Sequence, residues 1–474
     1  MSKDDLRGHY TRGLMEPAPA ERSSPTCALC LSDLGGEGGA GELDPQVLLL
    51  ILANNPWWHP GSDRICRECA RRFAEATAEA RAHYPAFDRG TCPILPTPLR
   101  LGASERFTGR GVTIAFLDSG FYAHPDLTRP SDRIRRYLDV NNPRASRADL
   151  DHPDESSWHG MMTSVVACGN GCLSGWLYRG LASEARLVLV KVGSARRIVH
   201  DDIRRGLEWV IRNRTRYDIR IVNVSCGGDF EASYLTDRLS QAADQATREG
   251  ILVCAAAGNL GNHPRHAVIP PGSAPSVLTV GGLDDKNRLA FSGYEMYHSS
   301  YGPTVDGLQK PEVIAPGIWV AAPILPGTPT AAQAALLSLL AAAPDAALPA
   351  TIAAHPGVDA ALEAALQLEP ALIRQLVEVK LRDNRVISGH YKHVDGTSFA
   401  APIVSSIAAQ MIEANPHLTP QETKLILIRT ARRMPTVAVD RQGWGAVNPR
   451  LAVEEAVALR APLKAAPAPP ERVT

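Results

Sequence analysis

The sequence predicts an α/β protein built on a mostly parallel sheet that helices cover on both faces. From Gly111 to about residue 283, short runs of β-branched and other apolar residues alternate with segments of helical periodicity. The apolar runs are hydrophobic throughout, which is typical of strands buried on both faces. In such sheets functional groups gather at the carboxyl ends of the strands, and candidate side chains are sought there.

Strands and helices follow one another in this region. The predicted strands are VTIAFLD, RLVLVKV, IRIVNVS, ILVCAAA and SVLTVGG, and the helix-like segments between them are HGMMTSVVACG, DDIRRGLEWVIRN and LSQAADQATREG.

Composition divides the whole chain into segments of different character. We expect a flexible N-terminus at 1–24, a small cysteine-bearing module at 25–95, the α/β domain at 100–458, a helical insertion within it at 322–386 and a flexible Pro/Ala-rich tail at 459–474.

The small module carries two C-x-x-C pairs, and the second pair opens a predicted helix over Arg67–His83. Two such turns can hold one Zn²⁺ in a tetrahedral site of treble-clef or zinc-ribbon type. The expected ligands are Cys27, Cys30, Cys66 and Cys69. Redox-active dithiols and plain buried thiols are the alternatives, and His59 or Cys92 could replace one ligand.

The insertion is rich in alanine and leucine and interrupts the α/β pattern. Helices are predicted at Thr330–Ala342, Val358–Leu368 and Pro370–Leu381. Because the insertion ends shortly before Ser398, it is a candidate lid or docking site for a regulatory protein, and structural decoration is the alternative.

Charge and hydropathy argue against several partners. The chain has 50 basic and 50 acidic side chains, so no net field attracts nucleic acid or an anionic membrane. The apolar run Val47–Ala53 is too short for a bilayer and predicts a buried helix. The N-terminal residues lack the basic and apolar regions of a signal peptide. We therefore expect a cytoplasmic protein without nucleic-acid or membrane partners.

Four side chains could carry chemistry at strand ends or helix starts. Asp118 ends the strand VTIAFLD, His159 begins a helix, Asn259 follows ILVCAAA, and Ser398 opens a helix behind Gly396. A serine at a helix N-terminus lies among unpaired N–H groups, in a field that favours an oxyanion. Each residue taken alone also has an ordinary structural explanation, as a turn or cap residue.

Together these stretches resemble the subtilisin-like serine peptidases, the subtilases. The resemblance rests on IAFLDSGFYAHPDL, HGMMTSVVACGNG, AAAGN, KPEVIAPG and DGTSFAAPIV, and extends from about Gly109 to Ala456. It implies the subtilisin-like three-layer fold for the peptidase domain. It also implies an Asp-His-Ser triad of Asp118, His159 and Ser398, with Asn259 in the oxyanion hole.

The resemblance further implies that a peptide substrate binds as an extended strand. The matching substrate-binding residues are Ser225, Cys226 and Gly227 on one side and Ala256, Ala257 and Gly258 on the other. Three basic residues lie just beyond Asn259: His263, Arg265 and His266. They could favour an acidic or polar substrate residue before the scissile bond, or they could simply lie in a solvated loop. His152 is a rival base, but it lies in a turn without a following helix.

Three positions qualify the resemblance. Met161 and Phe399 stand where subtilases usually have Thr and Met, which affects packing and not the reaction. Asp126 lies near a position that binds Ca²⁺ in many relatives, but the other ligands are not identifiable.

The sequence thus predicts a serine endopeptidase with a zinc module. A catalytically silent subtilase-fold protein that binds peptides, or acts as a scaffold or sensor, is the alternative.

Overall fold

The computed structural model describes residues 26–30, 32–34, 43–44, 47–48, 51, 63–83, 94–194, 197–289 and 293–460, and for 76–83 the backbone only. The predicted flexible N-terminus, all but the start of the predicted tail, His59 and Cys92 lie outside these residues. The described residues form two compact units, which divide between Thr77 and Ala78.

The larger unit is built on an eight-stranded sheet. Its strands are β1 Thr113–Asp118, β2 Ile134–Asp139, β3 Arg186–Lys191, β4 Ile219–Val224, β5 Leu252–Ala256, β6 Leu278–Asp284, β7 Glu295–Met296 and β8 Val313–Pro316. The order is β2-β3-β1-β4-β5-β6-β7, with β8 also paired to β6. Every pair is parallel except the short β6–β7 pair.

Helices cover both faces of this sheet. Strand β1 shows the two faces by alternation: Ile114 and Phe116 pack into one hydrophobic core, and Ala115 and Leu117 into the other. Both cores lie between sheet and helices, which makes three layers. This architecture confirms the predicted fold class, a mostly parallel sheet buried on both faces.

The first core is covered by helices that include Ser157–Cys168, Thr397–Ala414, Pro420–Arg429 and Pro449–Ala458. The second is covered by His200–Tyr217 and Arg238–Arg248. Shorter helices are Thr97–Leu101, Pro125–Thr128 and Val439–Gln442, and 3₁₀ turns are Arg147–Asp151 and Cys172–Ser174.

A helical segment with its own small core lies between the two strands of a second, small sheet. Strands β9 Val320–Pro323 and β10 Tyr391–Val394 pair antiparallel, with Pro323 opposite Tyr391. The chain between them forms the helices Pro329–Ala342, Leu348–Ala353, Ala360–Ala364 and Pro370–Asp383, with 3₁₀ turns Asp345–Ala347 and Ala365–Gln367. Leucines and other apolar residues of these helices pack together. The ends of the segment therefore meet at one hairpin.

The smaller unit contains a turn and most of a helix, and these bring cysteines together. Thr26 and Asp33 form an antiparallel bridge around the turn that holds Cys27 and Cys30. The helix Arg67–His83 has the predicted bounds, and Cys69 lies in its first turn. Of the predicted helix over Val47–Ala53, the described residues 47, 48 and 51 are helical.

Within the described residues, no helix has the length and apolar composition needed to cross a membrane.

Candidate active site

The carboxylate of Asp118 lies at the carboxyl end of β1, buried with no exposed surface. Its side chain has the same parity along the strand as Ile114 and Phe116, so it points towards the face covered by the helix Ser157–Cys168. Its Oδ1 accepts hydrogen bonds from Nδ1 of His159 at 2.7 Å and from the Ser119 N–H at 2.8 Å.

His159 reaches this carboxylate from the first turn of the helix Ser157–Cys168. The helix approaches the end of β1 so closely that a Cβ on Gly160 would stand 2.1 Å from the Gly120 carbonyl oxygen and 2.9 Å from Cβ of Asp118. Glycine at position 160 therefore permits the His159–Asp118 contact. Trp158 packs edge-on against the imidazole, with ring centroids 5.1 Å apart, and is 48% exposed.

The surroundings of His159 act on its proton affinity in opposite directions. Burial lowers its pKa, whereas the charge of Asp118 and the hydrogen bond to it raise the pKa, and the net effect is a rise. The thiol of the half-buried Cys226 has a pKa raised well above its usual range, first by its removal from water and then by the charge of Asp118.

Ser398 lies in the first turn of the helix Thr397–Ala414, whose N-cap is Gly396 at φ +142°. The ring of the next residue, Phe399, is 5.8 Å from the His159 ring between centroids, so the imidazole borders this turn. The Ser398 hydroxyl donates to the Ser225 carbonyl at 3.1 Å, and the Ser225 hydroxyl donates to the Ser398 carbonyl at 2.8 Å. The half-buried hydroxyl is thus tied to the chain that follows β4.

The side chain of Asn259 is oriented by Thr397. The Thr397 N–H and hydroxyl donate to Oδ1 of Asn259 at 3.0 and 2.9 Å, and the same hydroxyl accepts from the Gly258 N–H at 3.1 Å. Because a backbone N–H can only donate, it identifies the oxygen of the amide, and Nδ2 is turned away from Thr397. A Cβ built on Gly396 would lie 3.7 Å from the Ser398 nitrogen and 3.8 Å from Nδ2 of Asn259. These two donors therefore border one space.

The predicted substrate-binding residues lie at or just after the ends of β4 and β5, which are adjacent. Ser225 is occupied by its hydrogen bonds to Ser398, and Gly258 donates to Thr397 and accepts from the Ser300 N–H at 2.8 Å. In the described part of the chain, we find no backbone hydrogen bond at Cys226 or Gly227. These two residues leave an open backbone edge beside the site.

The other sequence candidates are exposed or have a ring contact of their own. His152 is exposed and ends the 3₁₀ turn Arg147–Asp151. His263 and Arg265 are exposed, and His266 stacks on Tyr301 with ring centroids 3.9 Å apart.

The surroundings of Asp126 do not fit a Ca²⁺ site. Its carboxylate has no exposed surface, Oδ2 accepts from the Tyr391 hydroxyl at 2.6 Å, and Oδ1 accepts from the Leu173 N–H at 3.1 Å. Each oxygen therefore already has one protein donor. Ca²⁺ takes six to eight oxygen ligands, and among the described residues Asp126 belongs to no group of three or more His, Cys, Asp or Glu side chains placed to hold a metal.

Two contributors were missed at the sequence level. Thr397 adjoins the candidate serine, but its contact with Asn259 spans 138 positions and has no sequence signal. The Thr163 hydroxyl donates to Oδ2 of Asp118 at 3.1 Å. Its position four residues after His159, on the same helix face, was a signal that could have identified it.

The smaller unit contains a separate candidate metal site. The sulfur atoms of four cysteines all lie within 4.8 Å of one another: Cys27, Cys30, Cys66 and Cys69. Among the described residues this is the only such group of three or more His, Cys, Asp or Glu side chains.

Comparisons with known proteins agree with the fold and the motifs. The model of the subtilase family matches residues 109–445. The chain is 31% identical over 355 residues to the serine protease AprX of Bacillus subtilis, covering 73% of this chain and 66% of that protein. It is 30% identical over 214 residues to subtilisin BL of Lederbergia lenta, covering 44% of this chain and 65% of that protein. The chain thus spans just under two thirds of the length of these curated relatives.

Solved structures share the architecture at lower identity. Fervidolysin of Fervidobacterium pennivorans aligns with a TM-score of 0.52 at 19% identity, covering 76% of this chain and 45% of that one. A protease of Pseudoalteromonas arctica aligns with a TM-score of 0.51 at 22% identity, covering 76% of this chain and 94% of that one.

Proposed function

The chain belongs to the subtilase family, and from this premise we propose that it is a serine endopeptidase that cleaves peptide bonds through an acyl-enzyme. The observation that carries the proposal is the 2.7 Å hydrogen bond between His159 and the buried Asp118, beside the helix turn that carries Ser398. A buried carboxylate in this position holds the imidazole in the tautomer that can accept a proton at Nε2.

In the proposed mechanism Ser398 Oγ attacks the scissile carbonyl while Nε2 of His159 takes the hydroxyl proton. The imidazolium that forms is stabilised by Asp118, and it then returns the proton to the leaving amine. A water molecule then attacks the acyl-enzyme carbonyl while Nε2 of His159 takes its proton. This proton passes to Ser398 Oγ as the ester bond breaks, and the acyl group leaves as a carboxylic acid. The Ser398 hydroxyl must first turn from its acceptor, the Ser225 carbonyl, because one proton cannot serve both partners.

The tetrahedral oxyanion would be held by the Ser398 N–H and Nδ2 of Asn259. Both groups border the space beside Gly396, which has no side chain to fill it. Thr397 holds the amide of Asn259 before substrate arrives, so little reorganisation is needed when negative charge develops.

The substrate would be a protein or peptide in extended conformation. The free backbone edge at Cys226 and Gly227 could pair with it, and Ala256, Ala257 and Gly258 would border the side chain before the scissile bond. Main-chain pairing gives affinity with little dependence on sequence.

A fluorophosphonate probe tests the peptidase proposal on the full-length protein. The wild type should be labelled at Ser398 and should cleave a peptide library, and Ser398→Ala should abolish both. Ser406→Ala is the matched control, because this serine lies on the same helix and donates to the Ile403 carbonyl. If the wild type is folded but neither labelled nor active, the silent peptide-binding alternative replaces the peptidase.

We also propose that the four cysteines hold a structural Zn²⁺. A tetrahedral site with Zn–S bonds of about 2.3 Å places sulfurs about 3.8 Å apart, and the sulfurs of Cys30 and Cys66 are 3.7 Å apart. The Cys69 N–H points at the Cys66 sulfur at 3.3 Å, a contact that stabilises a thiolate. A bound Zn²⁺ would join the turn at Cys27 to the helix at Cys69 as a cross-link.

Two further predictions rest on the sequence alone. One is a regulatory protein partner that acts through the zinc module or the helical segment, and the other is a cytoplasmic location.

The role of the helical segment can be tested directly, since its ends meet where Pro323 pairs with Tyr391. Replacing residues 325–389 by a short turn should leave the hairpin closed. Unchanged cleavage of both small peptides and folded proteins would identify the segment as decoration, and a change for folded proteins alone would identify a gate.

A further inference from the structure

Building on the proposed peptidase function, we propose that Thr163 is a positioning residue for Asp118 and thereby sets the pH range in which His159 acts as a base. The Thr163 side chain has no exposed surface, and its hydroxyl lies 3.1 Å from Oδ2 of Asp118. In the described part of the chain, no other hydrogen bond reaches this oxygen.

The helix geometry explains why one residue reaches each carboxylate oxygen. His159 and Thr163 are four residues apart in the helix Ser157–Cys168, so their side chains lie on one face, one turn apart. Asp118 faces both: Oδ1 accepts from His159, and Oδ2 accepts from Thr163. Fixing Oδ2 fixes the rotation of the carboxylate, and this keeps Oδ1 directed at the imidazole.

The single proton of the Thr163 hydroxyl has two possible acceptors, and Asp118 is the stronger. The Gly160 carbonyl lies 3.2 Å from the Thr163 hydroxyl, but it already accepts from the Ser164 hydroxyl at 2.7 Å. A carboxylate is charged and therefore attracts the proton more strongly than a carbonyl. The assignment of Thr163 as donor to Asp118 follows.

A donor at Oδ2 stabilises the ionised form of a carboxylate that has lost its contact with water. The titratable groups beside Asp118 come from three elements: the His159 imidazole on its helix, the Cys226 thiol after β4, and Lys191, its register partner on β3. The Lys191 ammonium is paired with Asp154 at 3.2 Å. The 2.7 Å hydrogen bond couples Asp118 to His159, so a change at Oδ2 of this carboxylate acts on the proton affinity of the imidazole. Removing the Thr163 donor raises the affinity of this pair for a proton.

The test compares Thr163→Val, which keeps the shape and removes the hydroxyl, with Thr163→Ser, which keeps the donor. In the pH profile of kcat/KM, Thr163→Val should raise the apparent pKa of the acid limb by about one unit and lower the plateau about tenfold, the size expected for losing one hydrogen bond to a charged group. Thr163→Ser should restore the wild-type limb. If both variants keep the wild-type limb and differ only in thermal midpoint, Thr163 is a packing residue and the proposal is overturned.

A second measurement separates this proposal from the peptidase function. In a Ser398→Ala background, NMR titration of the His159 imidazole needs no turnover and should show the same rise with Thr163→Val. If the wild type is inactive but the pKa of His159 rises in Thr163→Val, only the peptidase proposal is contradicted. If the wild type is active but this pKa does not rise, only the role of Thr163 is contradicted. Should Thr163→Val not fold, Thr163→Ala also removes the hydroxyl, and an unshifted limb there would overturn the proposal.

Discussion

The hydroxyl of Tyr391 donates a 2.6 Å hydrogen bond to the carboxylate of Asp126, although 265 positions separate the two residues. Tyr391 opens β10, the strand through which the chain leaves the helical segment, and Asp126 lies in the short helix after β1. Both are buried without exposed surface. The contact therefore fixes the chain seven residues before Ser398 to the short helix that follows β1.

This contact predicts that stability depends on the Tyr391 hydroxyl and not on Ca²⁺. Tyr391→Phe should lower the free energy of unfolding by about 1.5–3 kcal/mol, because it leaves a buried carboxylate oxygen without its donor. Urea unfolding measures this loss. Tyr178→Phe is the control, since that hydroxyl donates to the neutral Ile94 carbonyl and a smaller loss is expected. A saturable rise of the wild-type thermal midpoint with Ca²⁺, absent in Asp126→Asn, would contradict the prediction.

The raised pKa of His159 predicts the pH dependence of activity. The base must be neutral, so kcat/KM should rise through a pKa above the usual value of about 6.5 and then level off. The stability of the fold should change with pH in the opposite direction. The Asp118–His159 pair stabilises the folded state fully below about pH 6.5, and this contribution is lost as pH rises through the pKa of His159 in the folded state.

Substitution of Asp118 checks the cause of that rise. In Asp118→Asn only burial acts on the imidazole, so the acid limb of the residual activity should fall, and kcat should drop on the order of 10⁴-fold. Asp237→Asn is a matched control: His200 and Asp237 form a pair of the same 2.7 Å length, and asparagine can still cap the helix Arg238–Arg248. A shifted limb in the control would show that the effect is not specific to the site.

The cysteine cluster predicts about one Zn²⁺ per chain. Cys30→Ser should release the metal and lower the thermal midpoint of the unit that contains it, because one of four ligands is lost. Atomic absorption on the purified protein measures the content, and Co²⁺ substitution should give a thiolate charge-transfer band. Cys172→Ser removes a half-buried cysteine outside the cluster and should keep the metal. Full-length protein purified without metal and unaffected by Zn²⁺ would contradict the site.

Most of the sheet could be predicted because its central strands are apolar along their whole length. Strand β2 was missed since it is an edge strand with exposed Arg135 and Arg136 in its middle. The helix Leu348–Ala353 was also missed; it is six residues long, too short for a periodic pattern.

The candidate site was predictable where its residues end strands or begin helices, as Asp118 and Ser398 do. Contacts between distant positions were not, because no local pattern encodes them. Tyr391 and Asp126 show this, since neither flanking sequence indicates a partner 265 positions away.

The space beside Gly396 gives the sharpest test of the proposed oxyanion hole. In Gly396→Ala the new methyl would stand 3.7 Å from the Ser398 nitrogen and 3.8 Å from Nδ2 of Asn259, in the volume that a substrate oxygen needs. Since both donors would be obstructed, kcat should fall about 10²–10³-fold or more. Gly357→Ala is the control for backbone strain, with φ +79° and no atom within 4 Å of the new methyl. Both variants should lose stability, but only Gly396→Ala should lose activity; equal activity in the two, measured as initial rates on one peptide, would remove the oxyanion hole from this position.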